Sequence, residues 1–179
     1  MISRFLLRGF AVAMTCLLLP AQAETQAVSV AEVDLARYAG KWYEIASFPM
    51  YFQRNCLGDT TAEYALTPDG DVSVTNRCRT AEGFDEARGT ATVVEGSRNA
   101  RLKVSFFWPF RSDYWVFGLD ADYRWAVVGN PNRKYLWVLS RTPQMPRELL
   151  DAALKAASAQ AFDLNQLNYT TQGLTGGSK

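Results

Sequence analysis

Few side chains in this 179-residue sequence could do chemistry: three cysteines, eight tyrosines, 18 carboxylates and not a single histidine. Histidine is the commonest general base and the commonest zinc ligand. Serine–histidine, cysteine–histidine and HExxH chemistry are therefore excluded. Cys56 and Cys78 stand 22 residues apart, which fits neither a CxxC pair nor a four-ligand metal site. Acid–base work would have to rest on Glu44, a tyrosine or a thiol. The expectation is a protein that is not an enzyme and that takes no metal and no cofactor.

Charge narrows the partners. The 19 Lys and Arg residues nearly balance the 18 Asp and Glu residues, for a net charge of +1. A nucleic-acid binder needs a strong basic surplus, so that class is excluded. Hydrophobic residues make up 48% of the chain, enough to fill one core.

The first 23 residues read as a secretory leader. Arg4 and Arg8 precede an apolar run from Gly9 to Leu19, Pro20 breaks it, and Ala21-Gln22-Ala23 has the small-x-small form of a cleavage site. The run is too short to span a bilayer. Its removal leaves 17 basic residues against 18 acidic ones. Cys16 sits inside the apolar run, between Met14-Thr15 and Leu17-Leu18-Leu19, where it is discarded with the leader. The competing reading is an outer-membrane lipoprotein acylated on Cys16. In an exported chain Cys56 and Cys78 oxidise to one structural disulfide.

Residues 24–172 must then position whatever site exists, and 173–179 form a flexible tail. Alternation and turn signals mark eight short strands: Lys41–Ser47, Thr60–Leu66, Val72–Cys78, Ala87–Val94, Ala100–Phe107, Tyr114–Leu119, Trp125–Gly129 and Lys134–Ser140. The period then changes. After Pro146, residues Leu149, Leu150, Ala153, Leu154 and Ala157 make one apolar face at helical spacing. Leu164–Thr171 is a candidate ninth strand. The expected fold is all-β, an eight-stranded antiparallel up-and-down barrel with the helix packed outside.

Three short signatures lie on this pattern. Gly40-Lys41-Trp42 opens the first strand, Leu119-Asp120 with Tyr123 lies in the turn before the seventh, and Arg141 follows the eighth. Together they resemble the lipocalin family, most closely its bacterial lipocalin (Blc) and apolipoprotein D-like branch. The resemblance spans Asp34 to Tyr169. It implies a closed base built from Gly40, Trp42, Asp120, Tyr123 and Arg141, with the guanidinium of Arg141 across the indole of Trp42. Asp120 departs from the family's more usual Thr before the acidic and aromatic residues.

With Trp42 at the base, odd strands run toward the mouth and even strands away from it. Phe48–Gly58, Arg79–Glu86, Trp108–Asp113 and Pro131–Arg133 then lie at the mouth, and the disulfide staples the first loop to the rim. Side chains alternate in and out along a strand. The expected ligand-binding set is Tyr64, Val74, Asn76, Ala91, Leu102, Val104, Phe106, Tyr114, Val116, Trp137 and Leu139. Strands six and seven are apolar on both faces; Gly118 is assigned inward, with Phe117 and Leu119 beneath the helix. Ala62, Gly89, Ala91 and Gly118 are expected to leave room for a ligand. Inward Glu44 is expected to pair with a neighbouring donor.

The resemblance implies binding, storage or transport of a fatty acid or lysophospholipid in the periplasm. A lipocalin-like enzyme acting on a bound lipid and a membrane-surface module are the alternatives. The aromatic mouth, with Phe48, Met50, Tyr51, Phe52, Phe107, Trp108 and Phe110, could gate a lipid tail, touch the outer membrane or pack on itself. Basic residues gathered there are nearly cancelled by acidic ones, while the closed end is more acidic, and this modest polarity suits an anionic head group at the mouth. Monomer and homodimer both remain open.

Overall fold

The computed structural model describes residues 26–173. The leader, Cys16 and the tail beyond Gly173 lie outside the described residues. Eight strands succeed one another: β1 (Gly40–Ser47), β2 (Gly58–Leu66), β3 (Val72–Thr80), β4 (Gly83–Val93), β5 (Arg101–Phe107), β6 (Phe110–Leu119), β7 (Trp125–Gly129) and β8 (Leu136–Ser140). Each pairs antiparallel with the next, and β8 returns to β1. The barrel is closed, and α2 (Arg147–Ala159) packs outside it.

The strands reach further than their apolar alternation suggests. β3 and β4 continue to the pair Thr80↔Gly83, and β5 meets β6 at Phe107↔Phe110. Two of the expected mouth loops are therefore hairpin tips of two residues. Charged and polar side chains such as Arg77, Asp85 and Arg111 occupy these strand ends, where both faces meet water.

Two apolar layers hold the wall. Inside, Trp42, Ala62, Tyr64, Val72, Val74, Ala91, Leu102, Val104, Val116, Ala126, Val128 and Leu139 form one cluster. Outside, Ile45, Ala46, Phe117, Trp125, Val127, Leu136 and Val138 pack against Ala153, Ala157 and Phe162. Register shifts interrupt the ladder in β1, β2, β5 and β6, and the last of these corrects an expectation. A bulge between Val116 and Gly118 shifts the register of β6 against β7, so Gly118 faces outward. A Cβ there would lie 2.7 Å from the Cβ of Ala156 on α2. Leu119 is thereby returned to the interior, packed against the inner cluster, and only Phe117 lies beneath the helix.

The seam between β1 and β2 is split. Only Gly40–Tyr43 of β1 pairs with β2. Above Tyr43 the chain's last described segment fills the gap. The expected ninth strand is there, but short: a 3-10 turn at Leu164–Gln166 precedes β9 (Asn168–Tyr169), which pairs with Ala46 and Ser47. Thr170 N–H donates to the Ile45 carbonyl (2.9 Å), and Asp59 N–H donates to that of Thr171 (2.8 Å). The Gln172 amide donates to the carbonyls of both Glu44 and Thr60, each at 2.8 Å. Gly58 permits this close approach, because a Cβ would sit 2.5 Å from the Thr171 carbonyl oxygen.

Candidate ligand-binding site

At the base the Arg141 guanidinium gathers a set of backbone acceptors around Trp42. Trp42 is fully buried, and its indole N–H donates to the Tyr38 carbonyl at 2.8 Å. The Arg141 guanidinium lies 3.8 Å from the Trp42 ring centroid. It donates to the carbonyls of Arg37 (2.6 Å), Lys41 (3.0 Å), Tyr38 (3.2 Å) and Tyr123 (3.3 Å). Asp120 accepts two bonds from the Arg124 guanidinium, at 2.8 and 2.9 Å, and backbone N–H bonds from Asp122 and Arg124. These contacts, Arg124's first, hold its carboxyl below the usual range. The Tyr123 hydroxyl accepts from the Asp34 N–H at 2.9 Å.

One element of the base lacked a hydrophobic period in the sequence. A single helical turn, α1 (Leu35–Tyr38), precedes β1 and is capped by Asp34, whose carboxylate accepts from the N–H groups of Ala36 and Arg37. It delivers Tyr38 into the barrel. The Tyr38 and Tyr64 hydroxyls lie 2.7 and 2.9 Å from that of Tyr114. Burial pushes all three phenols up, Tyr64 to about 12. The Asp34 cap before an aromatic residue was the signal that could have revealed this plug.

The tyrosine level is a packed floor. Val33, Leu35, Tyr38, Tyr64, Val72, Ala91, Leu102, Val104, Tyr114 and Val116 surround free space of only about 10 Å³, room for about one water molecule. The small residues expected to leave space do not all do so. Ala62 and Ala91 are buried in the inner cluster, the Phe106 ring fills the space at Gly89, and Gly118 faces the helix.

Above the floor the barrel opens by steps. On β5, Leu102 and Val104 are 5% and 8% exposed, and Phe106 is 42% exposed. On β4 the inner face passes from buried Ala91 through half-buried Gly89 to exposed Ala87, while on β3 half-buried Asn76 lies between buried Val74 and buried Cys78. The expected set therefore divides. Tyr64, Val74, Ala91, Leu102, Val104, Tyr114, Val116 and Leu139 belong to the inner packing, with half-buried Trp137 against it, whereas Asn76 and Phe106 lie where the inner face opens.

A second, larger space of about 530 Å³ lies between the first loop and the seam. Glu44, Ser47 and Thr60 line it with Met50, Tyr51, Gln53 and Arg54, and Asn168–Thr171 closes it. Glu44 is 5% exposed. Its carboxylate accepts from the Thr170 hydroxyl (2.5 Å), the Gln53 amide (2.9 Å) and the Ser47 hydroxyl (3.2 Å). Pairing with neighbouring donors is thus what the structure shows. Gln53 also accepts from the Trp137 indole N–H at 3.3 Å. Gln53, Thr170 and Gln172 escaped sequence reading because isolated polar residues carry no periodic signal.

The rim is stapled as expected, by a disulfide between Cys56 and Cys78 with Cα atoms 5.5 Å apart. Its large apolar side chains fall into a buried set and an exposed set, and Tyr51 and Phe52 of the first loop belong to the second. Phe48 and Met50 are buried, with Phe48 against Phe162. Phe107, Trp108 and Phe110, at the β5–β6 tip, are 80%, 83% and 74% exposed. Several rim charges are paired: Arg79 with Asp59 at 2.7 Å, and Lys103 with Asp113. Arg77 lies over the Phe84 ring at 4.0 Å.

A closed base, a tyrosine floor and an open upper half define a one-ended cup. The chain belongs to the lipocalin-like family, whose profile matches residues 33–172, a family of proteins that bind small hydrophobic ligands. Outer membrane lipoprotein Blc of Vibrio cholerae is 44% identical over 146 residues, covering 80% of this chain and 85% of that protein. The Blc protein of Escherichia coli K12 is 40% identical over 141 residues, or 78% and 79% of the two chains. Bovine apolipoprotein D is more distant, at 30% over 149 residues, 78% of this chain and 77% of that protein. Among solved structures, insecticyanin from the tobacco hornworm Manduca sexta shares the fold. Its TM-score is 0.65 at 19% identity, over 85% of this chain and 86% of that one.

Proposed function

We propose that the protein reversibly binds and carries a fatty acid or lysophospholipid in the cell envelope. The observation that carries this reading is the stepwise opening above the floor, from Val104 at 8% to Phe106 at 42% exposed. An acyl tail seated there lies against Phe106, Trp137 and the upper faces of Val74 and Val104. Each CH₂ withdrawn from water contributes about 0.8 kcal/mol. The packed floor limits depth, so a long tail bends in the upper cup or parts the tyrosines.

Binding fits the chemistry better than turnover does. Cys56 and Cys78 are joined, Glu44 is held by three neutral donors, and burial pushes Tyr38, Tyr64 and Tyr114 up, away from service as bases. Native mass spectrometry of protein isolated from the periplasm, followed by extraction, tests the reading. An acyl lipid at one per protein supports it; a clean apo mass from every preparation removes it.

A specific observation favours a second role for the rim. Phe107, Trp108 and Phe110 project together from one hairpin tip, an exposed aromatic patch of the kind that meets a membrane surface. Trp108→Ala should then weaken vesicle binding while leaving acyl-chain affinity unchanged. Relatives named outer membrane lipoproteins bear on location. Export with loss of residues 1–23 gives a soluble periplasmic carrier, whereas acylation of Cys16 gives an anchored one. The mass of the mature N-terminus separates the two.

A further inference from the structure

The chamber under the first loop has a chemistry that the acyl-tail reading leaves unused. Its wall carries a carboxylate, Glu44, that is 5% exposed and forms no ion pair among the described residues. All three of its hydrogen-bond donors are neutral: two hydroxyls and one amide. A carboxylate withdrawn from water is costly unless a cation or several donors compensate it. Here the donors are neutral, and no described side chain supplies the cation. Free space of about 530 Å³ adjoins it, within the range of small-molecule sites.

Resting on the carrier reading, we propose that this chamber is a head-group site selective for a primary ammonium, with Glu44 as its recognition residue. Oε1 is taken by Ser47 and Thr170, while among the described residues Oε2 holds only the Gln53 amide. An ammonium can donate to Oε2 beside that amide or in its place, and either way a charge-assisted bond is gained. The one cationic side chain in the lining is exposed Arg54, at the first loop. It is placed for an anionic group on the same ligand. A carboxylate inside and a guanidinium at the rim match a zwitterion that carries an ammonium beyond a phosphate. Gln53, which also accepts from the Trp137 indole N–H, stands between this head group and the barrel interior where the tail is proposed to lie. The ligand class is thus an amine-bearing lysophospholipid, such as a lysophosphatidylethanolamine, in preference to a glycerol head group or a bare fatty acid.

The test is displacement of a fluorescent fatty acid by oleoyl lysophosphatidylethanolamine, its N-acetylated form, oleoyl lysophosphatidylglycerol and oleate. Wild-type protein should bind the free amine about tenfold more tightly than the acetylated or glycerol forms. In Glu44→Gln that ratio should fall to about one. Equal affinities in wild-type protein, or a ratio that survives Glu44→Gln, overturns the amine site. The acetylated ligand keeps the test decisive even if the variant does not fold. Displacement by oleate without head-group preference removes this inference alone, whereas no displacement by any of the four removes the carrier reading with it.

Discussion

The Tyr114 hydroxyl lies 2.7 Å from that of Tyr38 and 2.9 Å from that of Tyr64, and this chain of three phenols divides the barrel. Below it the interior is filled, and above it the inner faces of β4 and β5 open to water. Tyr38 comes from the segment before the first strand, Tyr64 from β2 and Tyr114 from β6. Three separate elements therefore meet at one polar joint inside an apolar core. Such networks rigidify a core when every member is satisfied.

Removing the central hydroxyl should loosen that joint. Tyr114→Phe keeps the ring but strips a partner from both other phenols, and leaving buried polar groups unpaired costs about 1–3 kcal/mol. Thermal melting should fall by several degrees. An unchanged melt would mean that the hydroxyl chain contributes nothing to holding the floor.

Alkali should undo the same joint. Burial raises the folded-state pKa of all three phenols, Tyr64 to about 12, above the ordinary value of 10.0. The folded protein therefore holds these protons more tightly than the unfolded chain. Stability from this source is complete below pH 10 and is lost as pH rises from 10 toward 12 and beyond. Urea midpoints across that window should decline steeply in wild-type protein and less so in Tyr114→Phe. A flat profile through pH 12 would contradict the assignment.

The base answers to a different substitution. Arg141 stacks on Trp42 and reaches four carbonyls with one planar fork, which a lysine ammonium cannot reproduce. Arg141→Lys should cost about 2 kcal/mol, close to the value of a hydrogen bond from a charged group. Chemical denaturation measures it, and a midpoint equal to wild type would deny the fork its role.

Reduction tests the staple between the first loop and the rim. The bond joins residues 22 apart in sequence, and closing a loop of that size is worth about 2–4 kcal/mol. Reduced protein should melt at a lower temperature and become more susceptible to proteolysis within Pro49–Gly58. An identical melt after confirmed reduction would show the loop to be held by other contacts.

Much of this architecture could be read from residue order because it depends on repetition. Strand alternation, the helical face from Leu149 to Ala157, and the parity that brings Arg141 back to Trp42 are all periodic signals. What escaped was local or non-repeating. The bulge at Val116/Gly118 inverts parity over one residue, and no alternation in the apolar stretch from Tyr114 to Leu119 reveals it. The filled floor depends on Tyr38 arriving from a four-residue helical turn. The seam is closed by Thr170 and Gln172, polar side chains that seek backbone carbonyls or the Glu44 carboxylate. Alternation sorted the walls into inside and outside but could not tell a filled level from an open one.

The central claim is that the upper cup holds an acyl chain above the tyrosine floor. The most direct measurement is displacement of a fluorescent fatty acid by acyl chains of increasing length. Affinity should rise by about 0.8 kcal/mol for each CH₂ that enters the cup, then level off once the space above Tyr114 is filled. Failure of every acyl chain to displace the probe from folded protein would contradict the account.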